Sequence, residues 1–151
     1  MKQLSFLTLI GCLVLFTGCA SNDEIVACPV ISAPEEGARS FVRSDIEGQL
    51  FDVRLNGVTA DCMRHKSGGT VVALTVGLKL DRKLGEGADR DVLVVLMMMA
   101  MVDDQQTVVS NSEFGYIVGF GKGAKQQYPT VEFEEIVPAN ARLVISLKSA
   151  Y

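Results

Sequence analysis

Thr70-Val-Val-Ala-Leu-Thr-Val-Gly-Leu-Lys-Leu80 decides the fold. In an extended chain Val72, Leu74, Val76, Leu78 and Leu80 share one face, and Val71, Ala73, Thr75, Gly77 and Lys79 share the other. A period of two is the signature of a half-buried β-strand. The second face is itself nearly apolar in its N-terminal half, which predicts cover on both sides there. Residues 50–58 repeat the alternation, with Phe51, Val53 and Leu55 set against Asp52, Arg54 and Asn56, and Gly57 is placed for a bulge.

Downstream the same reading recurs. Residues 92–102 are eleven consecutive apolar residues between Asp89-Arg90-Asp91 and Asp103-Asp104. The run is too short to cross a bilayer, and its β-branched start predicts a central strand even though Met97, Met98, Met99 and Met101 follow. Asp103-Asp104-Gln105-Gln106 predicts a hairpin turn into residues 107–110 and 114–120. Residues 130–136 point Val131, Phe133 and Glu135 one way and Glu132 and Glu134 the other, and residues 142–148 oppose Leu143, Ile145 and Leu147 to Val144, Ser146 and Lys148. A loop rich in Gly and charge occupies residues 84–90. Long capped helical stripes are missing from this pattern, so the expected class is all-β, an antiparallel sandwich or barrel.

The first twenty residues carry a different message. Lys2 precedes an apolar run, residues 7–16, that ends in Thr17-Gly18-Cys19-Ala20. Its length suits a signal-peptide core. Phe16-Thr17-Gly18-Cys19 resembles the lipobox of bacterial lipoproteins, with Phe where Leu is usual. That resemblance implies cleavage after residue 18, a diacylglycerol on the Cys19 thiol, and anchorage to a membrane. Each buried acyl methylene contributes about 0.8 kcal/mol, so two or three long chains hold a protein essentially permanently. Ala20-Ser21 after the modified Cys, in place of Asp, implies the outer membrane and a periplasm-facing domain. The expected organisation is a signal peptide over residues 1–18, the lipidated Cys19 and a polar tether over 19–27, and one β-domain over 28–151.

Cysteine usage agrees with export. Cys12 leaves with the signal and Cys19 carries lipid, so Cys28 and Cys62 are the two thiols left to an oxidising compartment, and they allow one pairing. Closing a loop of about 35 residues stabilises a fold by roughly 3–4 kcal/mol in the chain-entropy account. A metal or redox pair would need closer spacing or further His and Cys ligands.

Charge and motifs exclude several functions. The chain carries a formal charge of −4 at pH 7 and no cluster of Lys or Arg able to follow a row of phosphates, which argues against nucleic acid as a partner. His65 is the sole histidine, and no Gly-x-Ser-x-Gly elbow accompanies it. Gly115-Tyr-Ile-Val-Gly-Phe-Gly-Lys-Gly123 fails as a phosphate loop, because Gly115 is one place too far from Gly121-Lys122 and Gly123 stands where Ser or Thr would bind magnesium. Its glycines suit a strand edge and turn. Glu134 and Glu135 are neighbours on a strand and face opposite ways, a poor acid–base pair.

Two binding classes follow. In the first, the domain is a non-enzymatic interaction module of the envelope without a cofactor, binding another envelope protein through an edge strand, an exposed apolar face, or the 119–128 loop with Gly121, Lys122, Gly123, Lys125 and Tyr128. The alternative is a lipid-tethered small-ligand or Cu(I) carrier, in which Met97, Met99 and Met101 share a strand face and Met63 and His65 add donors; core filling by flexible thioethers is the competing reading.

Cys28-Pro29 soon after the lipobox, Gly57-x-x-x-x-Cys62 at the end of a strand, the long alternating strand, the apolar strand with its acidic turn and the closing Glu-rich hairpin together resemble short, uncharacterised lipoproteins of alphaproteobacterial type. The resemblance implies an immunoglobulin-like or fibronectin-III-like sandwich in which a Cys28–Cys62 bond ties the first strand to the second or to the loop after it. It departs from antibody domains in having no Trp.

Overall fold

The computed structural model describes residues 24–83 and 88–148. The expected signal peptide and Cys19, and residues 84–87 of the expected 84–90 loop, lie outside the described residues. Among the described residues nine strands form two sheets packed face to face, as the alternation predicts. The strands are β1 (Ile31–Ser32), β2 (Arg39–Arg43), β3 (Leu50–Arg64), β4 (Thr70–Arg82), β5 (Asp91–Asp103), β6 (Val108–Phe120), β7 (Gln126–Gln127), β8 (Thr130–Val137) and β9 (Ala141–Leu147). The five-stranded sheet runs β2-β3-β4 and then β7 and β8, both paired to β4; the four-stranded sheet runs β1-β9-β5-β6. Every pairing is antiparallel except β1 with β9, which is parallel.

The core is the inner face of each sheet. Val72, Leu74, Val76, Leu78 and Leu80 of β4 are buried against Leu93, Val95, Met97 and Met99 of β5 and Leu143, Ile145 and Leu147 of β9. Phe51 and Phe120 close one end with ring centroids 4.8 Å apart. The outer face of β4 is half-exposed throughout, so the cover expected over its N-terminal half is partial.

β3 is longer than residues 50–58 predict because Gly57 sits in its middle. The register shifts between Leu55 and Val58. Inward residues are Phe51, Val53 and Leu55 before the shift, and Val58, Ala60 and Cys62 after it. A bulge adds one residue and so changes which parity faces the core. Gly57 has φ +106, and a Cβ at Gly77 on the facing strand would lie 2.8 Å from the Asn56 carbonyl oxygen, so both positions need glycine.

The disulfide forms between Cys28 and Cys62, with Cα atoms 5.3 Å apart. It joins the segment ahead of β1 to the third strand, not the first strand to the second. Residues 24–26, read from sequence as tether, pair along β3: the Val26 N–H donates to the Cys62 carbonyl (3.0 Å) and the Arg64 N–H to the Glu24 carbonyl (2.9 Å). Ile25 bridges Met63. At the same end, the Asp103 carboxylate accepts the N–H groups of Gln105 (3.0 Å) and Thr107 (2.8 Å), which fixes the hairpin between β5 and β6.

Candidate interaction surface

Of the expected site residues only Cys28 and Cys62 are brought together, as the disulfide. Cys19 is outside the described residues. Met97, Met99 and Met101 share the inner face of β5 and are 0 %, 5 % and 7 % exposed, packed into the core by valines and leucines. Met63 alternates with the inward Cys62 and so lies on the outer face of β3. His65 stands in the turn after β3, its Nδ1 2.7 Å from the Ser67 hydroxyl. Thus the five donors of the Cu(I) reading divide between the core, the outer face of the opposite sheet and a turn. Among the described residues no group of three or more His, Cys, Asp or Glu is placed to hold a metal ion.

The 119–128 loop is tied down more than its glycines suggest. The Gly123 N–H donates to the Ala88 carbonyl (2.8 Å), the Arg82 N–H to the Lys125 carbonyl (2.8 Å), and Lys122 pairs with Asp89 at 3.4 Å. Beneath it lies a pair that no sequence signal announces. Arg82 and Asp91 have side chains 1 % and 0 % exposed and approach to 4.0 Å. The guanidinium lies 5.6 Å from the Phe51 ring and 5.5 Å from the Phe120 ring, and its Nη2 donates to the Asp89 carbonyl (2.7 Å). The guanidinium thus holds together the strand ends and the loop at this end of the sandwich.

Surface depressions of about 390 to 440 Å³ open on the outside of the domain. Two lie at the disulfide end, one between Val26, Cys28, Arg64 and Pro138 and one between Pro29, Asp103, Ala139 and Arg142. A third crosses the five-stranded sheet at Asp61, Thr75, Glu132 and Glu134.

The five-stranded sheet dresses its outer face in charge. Asp52, 1 % exposed, is gripped by Arg39 through Nε (2.8 Å) and Nη2 (2.7 Å) and by Arg54 through Nη2 (2.8 Å), with Lys83 at 3.6 Å. Those hydrogen bonds, the one from Arg39 foremost, hold the Asp52 carboxyl far below the ordinary carboxylate range. Toward the disulfide end the face continues through Thr59, Asp61, Glu132 and Glu134 and ends in an apolar row of Met63, Val71 and Ile136.

The four-stranded sheet does the reverse. Outward from β5 stand Val92, Val94, Leu96, Met98 and Ala100, with Val92 39 % exposed and the other four half-buried. Register places Ile117 of β6 beside Val94 and Val144 of β9 beside Ala100. Ile117 is 68 % exposed. The run 92–102 is therefore a central strand, as its composition predicts, but the domain covers only one of its faces. β6 then leaves an edge of thirteen residues that, among the described residues, pairs with β5 alone. It has no Pro, Lys or Arg, and its one charge, Glu113, is bound by Lys148 at 2.7 Å. Edges usually carry charges, prolines, bulges or short lengths that discourage another strand from pairing, and beyond the bulge at Val109 and the paired Glu113 this one carries none of them.

No protein-family model, curated protein or solved structure matches this chain.

Proposed function

We propose that this chain is a lipid-anchored envelope protein acting as a non-enzymatic binding module, held through Cys19 at the outer membrane with its β-sandwich in the periplasm. The carrying observation is β6: a long, nearly uncharged edge beside an outward apolar row on β5, in a domain whose other sheet sets Arg39, Asp52, Arg54 and Lys83 on its outer face. Exposed apolar surface of this kind marks contact with another macromolecule. The anchor reading rests on the apolar run and lipobox of residues 7–19, and the Cys28–Cys62 bond supports an oxidising compartment.

The test uses the full chain in cells. Labelled fatty acid should enter the protein and be lost in Cys19→Ala. A photoreactive residue at Ile117 should give an adduct of one defined mass, and the same residue at Thr59, on the charged outer face, should give none. Absence of label, or equal adducts from both positions, overturns the proposal.

A further inference from the structure

We infer that β6 accepts an extended strand from another polypeptide, one with apolar side chains at alternate positions, along Asn111 to Ile117. This rests on the binding-module reading above and specifies its contact. The backbone supplies the first argument. The Lys148 N–H donates to the Leu96 carbonyl at 2.9 Å, so the backbone groups of Leu96 point toward β9. In an antiparallel ladder, residues alternate between bonding one neighbour and bonding the other. Gly115, the β6 partner of Leu96, therefore turns its N–H and carbonyl away from β5, and Asn111, Glu113, Ile117 and Gly119 follow by alternation.

The chain itself supplies the second argument. The Gln127 side-chain amide donates to the Gly119 carbonyl at 2.7 Å, so one outward acceptor of this edge already holds an amide N–H. Gln127 reaches only that position. From Asn111 to Ile117 no strand among the described residues pairs with the outward groups.

β6 and β8 are the facing edges of the two sheets, and β8 pairs only with β4. Between them Phe114 and Phe133 meet with ring centroids 5.0 Å apart, yet both remain half-buried, as does Tyr116. A strand added to β6 would set alternate side chains against these rings and bury them further, while its backbone completed the ladder. Glu113 is already neutralised by Lys148, so the incoming strand needs no basic residue to be tolerated.

A second copy of this chain fits less well. Isologous edge pairing runs antiparallel, which puts the residue-24 end of each copy at opposite ends of a strand about 43 Å long. Residues 19–23, the link to a Cys19 anchor, span at most about 17 Å, too short for both copies to reach one leaflet with their strands upright.

The test is amide hydrogen exchange on the full processed chain in detergent, with and without millimolar nonapeptide of alternating Val and Thr. In the free protein the amides of Asn111, Glu113, Gly115 and Ile117 should exchange about 100-fold faster than those of Ser112, Phe114, Tyr116 and Val118. The peptide should slow the four fast amides about ten-fold or more and leave Thr59 and Asp61 unchanged. Ile117→Pro, which removes an outward donor that bonds nothing in β5, should abolish the slowing, and Ile117→Lys should weaken it should the proline variant fail to fold. Protection of the four amides in the free monomer, no response to peptide, or protection that grows with protein concentration alone, the mark of a second copy, would each overturn the inference. Because the peptide assay involves no envelope partner, its failure is separable from failure of the crosslinking test at Ile117.

Discussion

The two sheets of this sandwich meet the same demand on their inner faces and opposite demands on their outer ones. Inside, both present alternating Val, Leu, Ile and Met that vanish into one core. Outside, the five-stranded sheet sets Arg39, Asp52, Arg54 and Lys83 into a network, whereas the four-stranded sheet shows Val94, Leu96 and Met98 and ends in a bare strand. Folding requires only the inner faces. An outer face as apolar as that of β5 adds nothing to a sandwich that leaves it uncovered, so its composition calls for an explanation outside the fold. Perturbing one sheet at a time is the way to test the contrast.

The largest effect should come from the link between the sheets. Cys28 leads into β1 of the four-stranded sheet and Cys62 belongs to β3 of the five-stranded one. Replacing both with Ala should lower stability by about 3–4 kcal/mol, read as a shift in the denaturation midpoint with unchanged slope. The loss should be equal whichever sheet's aromatic signal reports unfolding. Separate transitions would mean that the sheets are not one cooperative unit.

Much of this arrangement is legible in the sequence. Alternation places the inward residues of β4, β8 and β9, and the Cys pair is what remains once Cys12 and Cys19 are assigned to the expected signal and anchor, because a period of two and a lone pair of thiols are local signals. β1 and β2 are not legible. Ile31–Ser32 is two residues long and Arg39–Arg43 is Arg-Ser-Phe-Val-Arg, a strand that buries Ser40 and Val42 and takes its register from β3 rather than from its own hydrophobicity. Asp52 reads as an ordinary outward residue. Its burial depends on two arginines brought from β2 and β3, and such a meeting is written in the pairing and not in any window of the chain. The same holds for Arg82 with Asp91, which would pass for solvated strand ends. The eleven apolar residues of 92–102 identify a central strand, but composition alone says that both faces want cover, and only the structure shows which one lacks it.

A smaller effect tests the charged face. Asp52→Asn leaves Arg39, Arg54 and Lys83 crowded around a neutral group. Breaking a fully buried pair costs roughly 3–5 kcal/mol, but these cations are 45–48 % exposed, so about 2 kcal/mol is expected after solvent screening. The pH dependence has a definite sign. Asp52 is held below its ordinary value in the folded chain, so its contribution is complete at neutral pH. It fades as the pH falls below about 5, where the carboxyl of the unfolded chain begins to take up protons, and continues to fade through the lower folded value. Urea midpoints of the parent and Asp52→Asn should thus differ most at pH 7 and converge toward pH 3. A constant difference would show that the arginines contribute by packing alone.

The smallest effect carries the sharpest distinction, because it separates adjacent residues of one strand. Met97 is 0 % exposed and Met98 faces outward beside Glu113 and Ser146. If the outer face of β5 is free in the lone chain, Met98→Thr and Leu96→Thr should each shift stability by less than about 0.5 kcal/mol, since Thr keeps β-propensity and loses apolar area that was never fully removed from water. Met97→Thr, which buries a hydroxyl among Val and Leu, should cost several times more. A large loss from Met98→Thr would mean that the four-stranded sheet is covered from within the chain and that both sheets obey one rule. A negligible loss, combined with loss of the Ile117 crosslink in cells, would place the selective value of those side chains in what they touch outside the molecule.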